Sequence, residues 1–83
     1  MTIESTKIPD IYVITPDVLG DERGFFMEVF RKDVFKEAGL PNLEFVQQNH
    51  SSSKKGVLRG LHLQWEPGLG KLIRVIKGEA FFA

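Results

Sequence analysis

The chain has 83 residues, with eleven basic and eleven acidic side chains that cancel. That balance leaves no electrostatic footprint for nucleic acid or an anionic membrane, and a hydrophobic fraction of 42% with seven Phe excludes a disordered chain. No Cys is present, so disulfides and thiolate metal sites are excluded.

One small domain is the most that this length holds. The N-terminal stretch MTIESTKIPD is polar and has no apolar core of a signal peptide. No apolar run approaches the roughly 20 residues that span a bilayer. A soluble cytoplasmic protein is the expectation.

Ile11 to Thr15 (IYVIT) is rich in β-branched and aromatic residues, lies between Pro9 and Pro16, and predicts a strand. Leu19 to Gly24 reads as a turn with Gly at both ends of GDERG. Phe25 to Phe30 (FFMEVF) predicts a second strand, with Glu28 its one charge. Asp33 to Ala38 is the helix candidate. Asp33 suits an N-cap, Val34, Phe35 and Ala38 share a face, and Gly39 and Pro41 are stop signals. Four further strands are predicted: Phe45 to Ser51, Val57 to Gln64, Lys71 to Lys77, and Ala80 to Ala83. Short strands punctuated by Gly and Pro predict an all-β sandwich or barrel. The chain stops within the apolar run AFFA, which predicts either a covering partner chain or a piece of something larger.

Gly56 to Trp65 (GVLRGLHLQW) holds the residues most suited to chemistry. Strict alternation points Arg59 and His62 to opposite faces, but Gly60 between them suits a bulge that lets both face one cavity. Taken alone, the pair reads as a satisfied core histidine and a surface cation. In Phe45 to Ser51, Gln47 and Asn49 share a face and Gln48 takes the other. Paired amides are poor core filler and fit either a polar pocket or a solvated edge strand. Lys71 opens the strand KLIRVIK, where a lysine usually snorkels into water. Arg23 and Glu28 flank a Gly-containing turn and fit either an ion pair or contacts to a ligand, with Arg suited to phosphate.

Gly56, His62, Gln64, Lys71 and Gly78 together resemble the cupin signature on two adjacent strands. Gln64 stands where a metal-binding His is usual, and Lys71 where a metal-binding Glu is usual. An ammonium is no ligand for a divalent cation and Gln is a poor one for a transition metal, so the resemblance implies metal-free work rather than a metal-dependent cupin. More specifically, GDERGFFMEVF, FVQQNHS, GVLRGLHLQ and GKLIRVIKGE resemble, in order and spacing, the dTDP-4-dehydrorhamnose 3,5-epimerase family.

The family resemblance implies a cupin-type jelly-roll β-barrel with one short helix. Residues 1–83 would form its N-terminal half, a single and incomplete domain. It implies a homodimer, a dTDP-sugar substrate, no cofactor, no metal, and inversion at C3 and C5 of a 4-keto-6-deoxy sugar. His62 resembles the base, and its type suits proton transfer near neutral pH. Lys71 resembles the cation beside the C4 oxygen, where a preorganised donor is worth ~3–4 kcal/mol of barrier. Arg59 resembles a diphosphate ligand. Gln47, Gln48 and Asn49 match a substrate-binding segment. Arg23 and Glu28 match nucleotide ligands, reaching the partner subunit's site by strand exchange.

The family's proton-donating Tyr and the carboxylate that orients its His belong to a second half. Tyr12, the lone Tyr here, does not match that position. The isolated 83-residue chain is therefore expected to be inactive or nearly so. The alternative reading is a non-catalytic sugar-nucleotide-binding relic or fragment.

Overall fold

The computed structural model describes residues 1–41, 44–65 and 67–83. The chain divides into two compact units, Met1–Asn42 and Leu43–Ala83.

The first unit holds all the regular structure among the described residues: two antiparallel hairpins and one short helix. Strand β1 (Thr2–Ser5) pairs with β2 (Tyr12–Thr15), with Thr2 opposite Thr15 and Ser5 opposite Tyr12. The IYVIT run thus forms its predicted strand. Its partner TIES is polar and carries a single apolar side chain to pack, Ile3, which is why its composition gave no strand signal. The connecting loop is closed by Thr6, whose backbone N–H donates to the Ile11 carbonyl at 3.2 Å. The Thr6 hydroxyl bonds the same carbonyl at 2.9 Å. The Met1 ammonium pairs with Asp17 Oδ2 at 2.6 Å, which ties down the start of β1.

Strand β3 (Val18–Asp21) pairs with β4 (Gly24–Met27), with Val18 opposite Met27 and Asp21 opposite Gly24. This corrects the turn expected over Leu19–Gly24. The loop is Glu22–Arg23, and Leu19–Asp21 is strand. The expected strand Phe25–Phe30 starts one residue earlier and ends at Met27, because β3 offers no partner beyond Val18.

Helix α1 (Lys32–Glu37) lies one residue earlier than expected. Arg31 occupies the N-cap position without a side-chain cap bond. Asp33 instead sits in the first turn, where its charge complements the helix dipole. The stop signals act as read. Gly39 takes φ +85°, its N–H donates to the Lys36 carbonyl, and the Leu40 N–H donates to the Phe35 carbonyl, both at 3.1 Å. That is the Schellman arrangement, which satisfies carbonyls the helix end leaves free. Phe35, at 7% exposure, is the one buried apolar side chain among the described residues.

In the second unit no described residue belongs to a helix or strand. The strands expected over 45–51, 57–64, 71–77 and 80–83 are not formed. A strand exists only when a neighbour takes up its N–H and C=O groups, and no described segment does so here. Leu58, Leu61 and Leu63 are accordingly 91%, 95% and 87% exposed. The all-β character with one short helix holds for the regular elements, while most of the expected strands remain unpaired.

Candidate functional site

In the first unit the β3–β4 turn carries Arg23, one of the residues expected from the sequence to contact a ligand. The backbone turns sharply after Arg23 because Gly24 adopts φ +131°, a value L side chains rarely take. Asp21 braces the turn from inside. Its Oδ1 accepts the Arg23 backbone N–H at 2.8 Å, an Asx-type contact. Its Oδ2 accepts from Arg23 Nε at 3.1 Å and from Nη2 at 2.5 Å. The guanidinium hydrogen bond, followed by the backbone one, holds the Asp21 carboxyl below its ordinary value. The same pairing holds Arg23 above its own.

The Arg23 side chain is 86% exposed. Asp21, Arg23 and Gly24, with Leu19, Phe25 and Phe26, line an open cavity of about 260 Å³. A cation beside apolar and aromatic surface suits a ligand with an anionic part and a planar part.

Arg23 and Glu28, read from the sequence as possible partners, are not paired. Arg23 is held by Asp21, and Glu28 Oε1 lies 3.9 Å from Arg31 Nη1. Arg31 Nε also donates to Asp33 Oδ1 at 2.9 Å, so Arg31 links Glu28 to the first turn of α1. Asp21 and Arg31 escaped the sequence reading. The signal for Asp21 was present: an Asp two residues before an Arg, ahead of a Gly, is the pattern of a side chain closing its own turn.

In the second unit, the two amides expected on one face do meet. Gln47 Nε2 donates to Asn49 Oδ1 at 3.2 Å, with Gln48 exposed between them. Arg59 Nη2 donates to the Ser52 carbonyl at 2.9 Å, which links the segment after Gly56 back to the serine loop. Gly60 has φ +123°, so the strict alternation between Arg59 and His62 is broken there. His62 and Lys71 are both exposed. Among the described residues, neither makes a hydrogen bond or ion pair.

Comparison with known proteins places these residues in context. The dTDP-4-dehydrorhamnose 3,5-epimerase profile matches residues 5–83. The chain belongs to the dTDP-4-dehydrorhamnose 3,5-epimerase family. Relatives bearing that name include one from Shigella flexneri, 57% identical over 98% of this chain and 45% of its own length. A second, from Neisseria gonorrhoeae, is 54% identical over 98% of this chain and 24% of its own length. A third, from Salmonella typhimurium, is 50% identical over 98% of this chain and 45% of its own length. The chain thus spans less than half the length of these epimerase relatives. No solved structure matches it significantly. All eight residues read as site candidates, from Arg23 to Lys71, fall inside the region matched to the epimerase family.

Proposed function

We propose that the whole encoded protein is a cytoplasmic sugar-nucleotide isomerase that inverts C3 and C5 of dTDP-4-dehydro-6-deoxy-glucose. The observation that carries this reading is the family match over residues 5–83, which contains every motif in order. Both inverted carbons lie α to the C4 carbonyl, which acidifies their protons. His62 removes the proton, and the electron pair moves into an enolate. A proton then returns on the opposite face.

Lys71 stands near the C4 oxygen, where negative charge develops, and its ammonium stabilises the enolate. Arg59 binds the diphosphate, and Gln47, Gln48 and Asn49 hold the sugar. Arg23 and Glu28 bind the nucleotide. The exposed cation and aromatic wall of the β3–β4 turn support that role for Arg23.

The fold proposed for the whole protein is a jelly-roll barrel in a homodimer, with both units belonging to one domain. Jelly-roll pairing joins strands far apart in sequence.

The test is solvent-deuterium incorporation at C3 and C5 of the keto sugar. The whole protein incorporates deuterium at both positions, and His62→Ala abolishes it. Exchange that survives in His62→Ala removes His62 as the base.

A further inference from the structure

A guanidinium carries five N–H donors arranged as two usable edges. In Arg23 one edge is already occupied: Nε and Nη2 both donate to Asp21 Oδ2, at 3.1 and 2.5 Å. The edge formed by Nη1 and Nη2 remains, and the side chain is largely exposed. Either edge of a guanidinium can grip two oxygens of a phosphate in parallel, and the end-on edge is the one Asp21 leaves for a ligand.

The other Asp21 oxygen fixes the backbone of the same residue at 2.8 Å. One carboxylate therefore sets both the turn and the direction of the side chain that leaves it. An unheld arginine would have to give up its rotamer freedom on meeting a ligand, and a held one has already done so.

We propose that Asp21 is a positioning residue for Arg23: it holds the guanidinium against the β3–β4 turn so that the free edge meets a phosphate of a nucleoside diphosphate. This rests on the reading of Arg23 as a nucleotide ligand. Asp21 does not touch the ligand, and it acts only through Arg23.

The two oxygens of Asp21 have separate duties, and Asp21→Asn separates them. The amide oxygen still accepts the Arg23 backbone N–H, so the turn is kept. The amide nitrogen replaces the acceptor for Nε and Nη2, so the hold on the guanidinium is lost.

The experiment is a double-substitution cycle on the whole encoded protein, with dTDP as the probe and its Kd read by calorimetry. Arg23→Ala weakens dTDP binding. Asp21→Asn weakens it by about three- to tenfold. In the Arg23→Ala background, Asp21→Asn costs nothing further. A merely structural Asp21 would weaken binding equally in both backgrounds, and that additive result overturns the proposal. Native affinity in Asp21→Asn, or tighter binding, overturns it as well while leaving Arg23 as a ligand. Unchanged affinity in Arg23→Ala removes the nucleotide reading of Arg23 itself. As a second measurement, the Arg23 Nε–H resonance moves in Asp21→Asn without dTDP present. A resonance that stays in place shows that Asp21 does not hold the guanidinium and overturns the proposal.

Discussion

The rings of Phe30 and Phe35 meet edge to face, with centroids 5.0 Å apart and planes at 81°. This contact joins the segment after β4 to helix α1, and Phe35 is the buried member. A six-residue helix is too short to stand on propensity alone. Its persistence draws on this packed ring and on the bonds at its C-terminal end, beside the Arg31–Asp33 contact at its first turn. Replacing a buried Phe by Ala costs about 3–5 kcal/mol in a full core, and less where one face meets solvent. Phe35→Ala should therefore lower stability by about 2–3 kcal/mol, including loss of the aromatic pair. Urea denaturation measures the loss, and amide exchange shows whether α1 opens first. Unchanged protection of the α1 amides would sink this account.

The Asp21–Arg23 pair gives a pH dependence of known sign. The folded turn holds the Asp21 carboxyl below its ordinary value, through the Arg23 guanidinium first and the backbone N–H second. The unfolded chain therefore binds this proton more tightly than the folded one. The pair's contribution is complete above the ordinary carboxylate range and disappears as pH falls through the lowered value. Both groups are solvent-accessible, so salt weakens the effect. Carbon-detected NMR titration of Asp21 checks it. Arg23→Gln should return the Asp21 midpoint toward the ordinary range, and a midpoint that does not move would disprove the stated cause.

The first unit was legible in the sequence where local chemistry decides structure. IYVIT carries β-branched residues between two prolines, and Gly39 with Pro41 ends a helix whatever lies around it. The strand TIES was illegible, because only its pairing to Tyr12–Thr15 makes it a strand. The turn at Glu22–Arg23 was placed too broadly, since glycines at 20 and 24 both read as turn residues. Only Gly24 has the positive φ that a turn demands. In the second unit, composition identified segments suited to strands, but pairing is a long-range property that composition does not contain. Among the site residues, Gln47 and Asn49 meet through a hydrogen bond, although the strand from whose alternation a shared face was expected is not formed. The partner of Arg23 did not follow, because Asp21, Glu22 and Glu28 all lie within reach in sequence and the turn geometry pairs it with Asp21.

The conformation of Gly24 supplies a clean contrast with Gly68. A Cβ at Gly24 meets nothing within 4 Å, so the obstacle to alanine is the backbone at φ +131° and not a clash. Strain of this kind costs about 1–3 kcal/mol. A Cβ at Gly68 also meets nothing within 4 Å, and its φ lies outside the restricted region. Gly24→Ala should thus destabilise the β3–β4 hairpin by that amount, while Gly68→Ala stays within about 0.5 kcal/mol of the starting chain. Denaturation midpoints compare the two directly. Equal effects would show that backbone strain is not what selects glycine at 24.

Leu58, Leu61 and Leu63 expose most of their surfaces within a single short segment. Apolar strand-like sequence with unpaired backbone is a template for association with other chains. The 83-residue chain on its own should therefore bind the dye ANS strongly and scatter light as its concentration rises. A charge placed in that segment opposes edge-to-edge pairing without removing any existing contact, so Leu61→Lys should lower both signals. The same substitution in the whole encoded protein should act in the opposite sense if those leucines become core there. It would then destabilise by leaving a cation without a partner in an apolar setting. Weak dye binding by the isolated chain, or a Leu61→Lys chain that scatters as much as its parent, would show that this segment is not the one that associates.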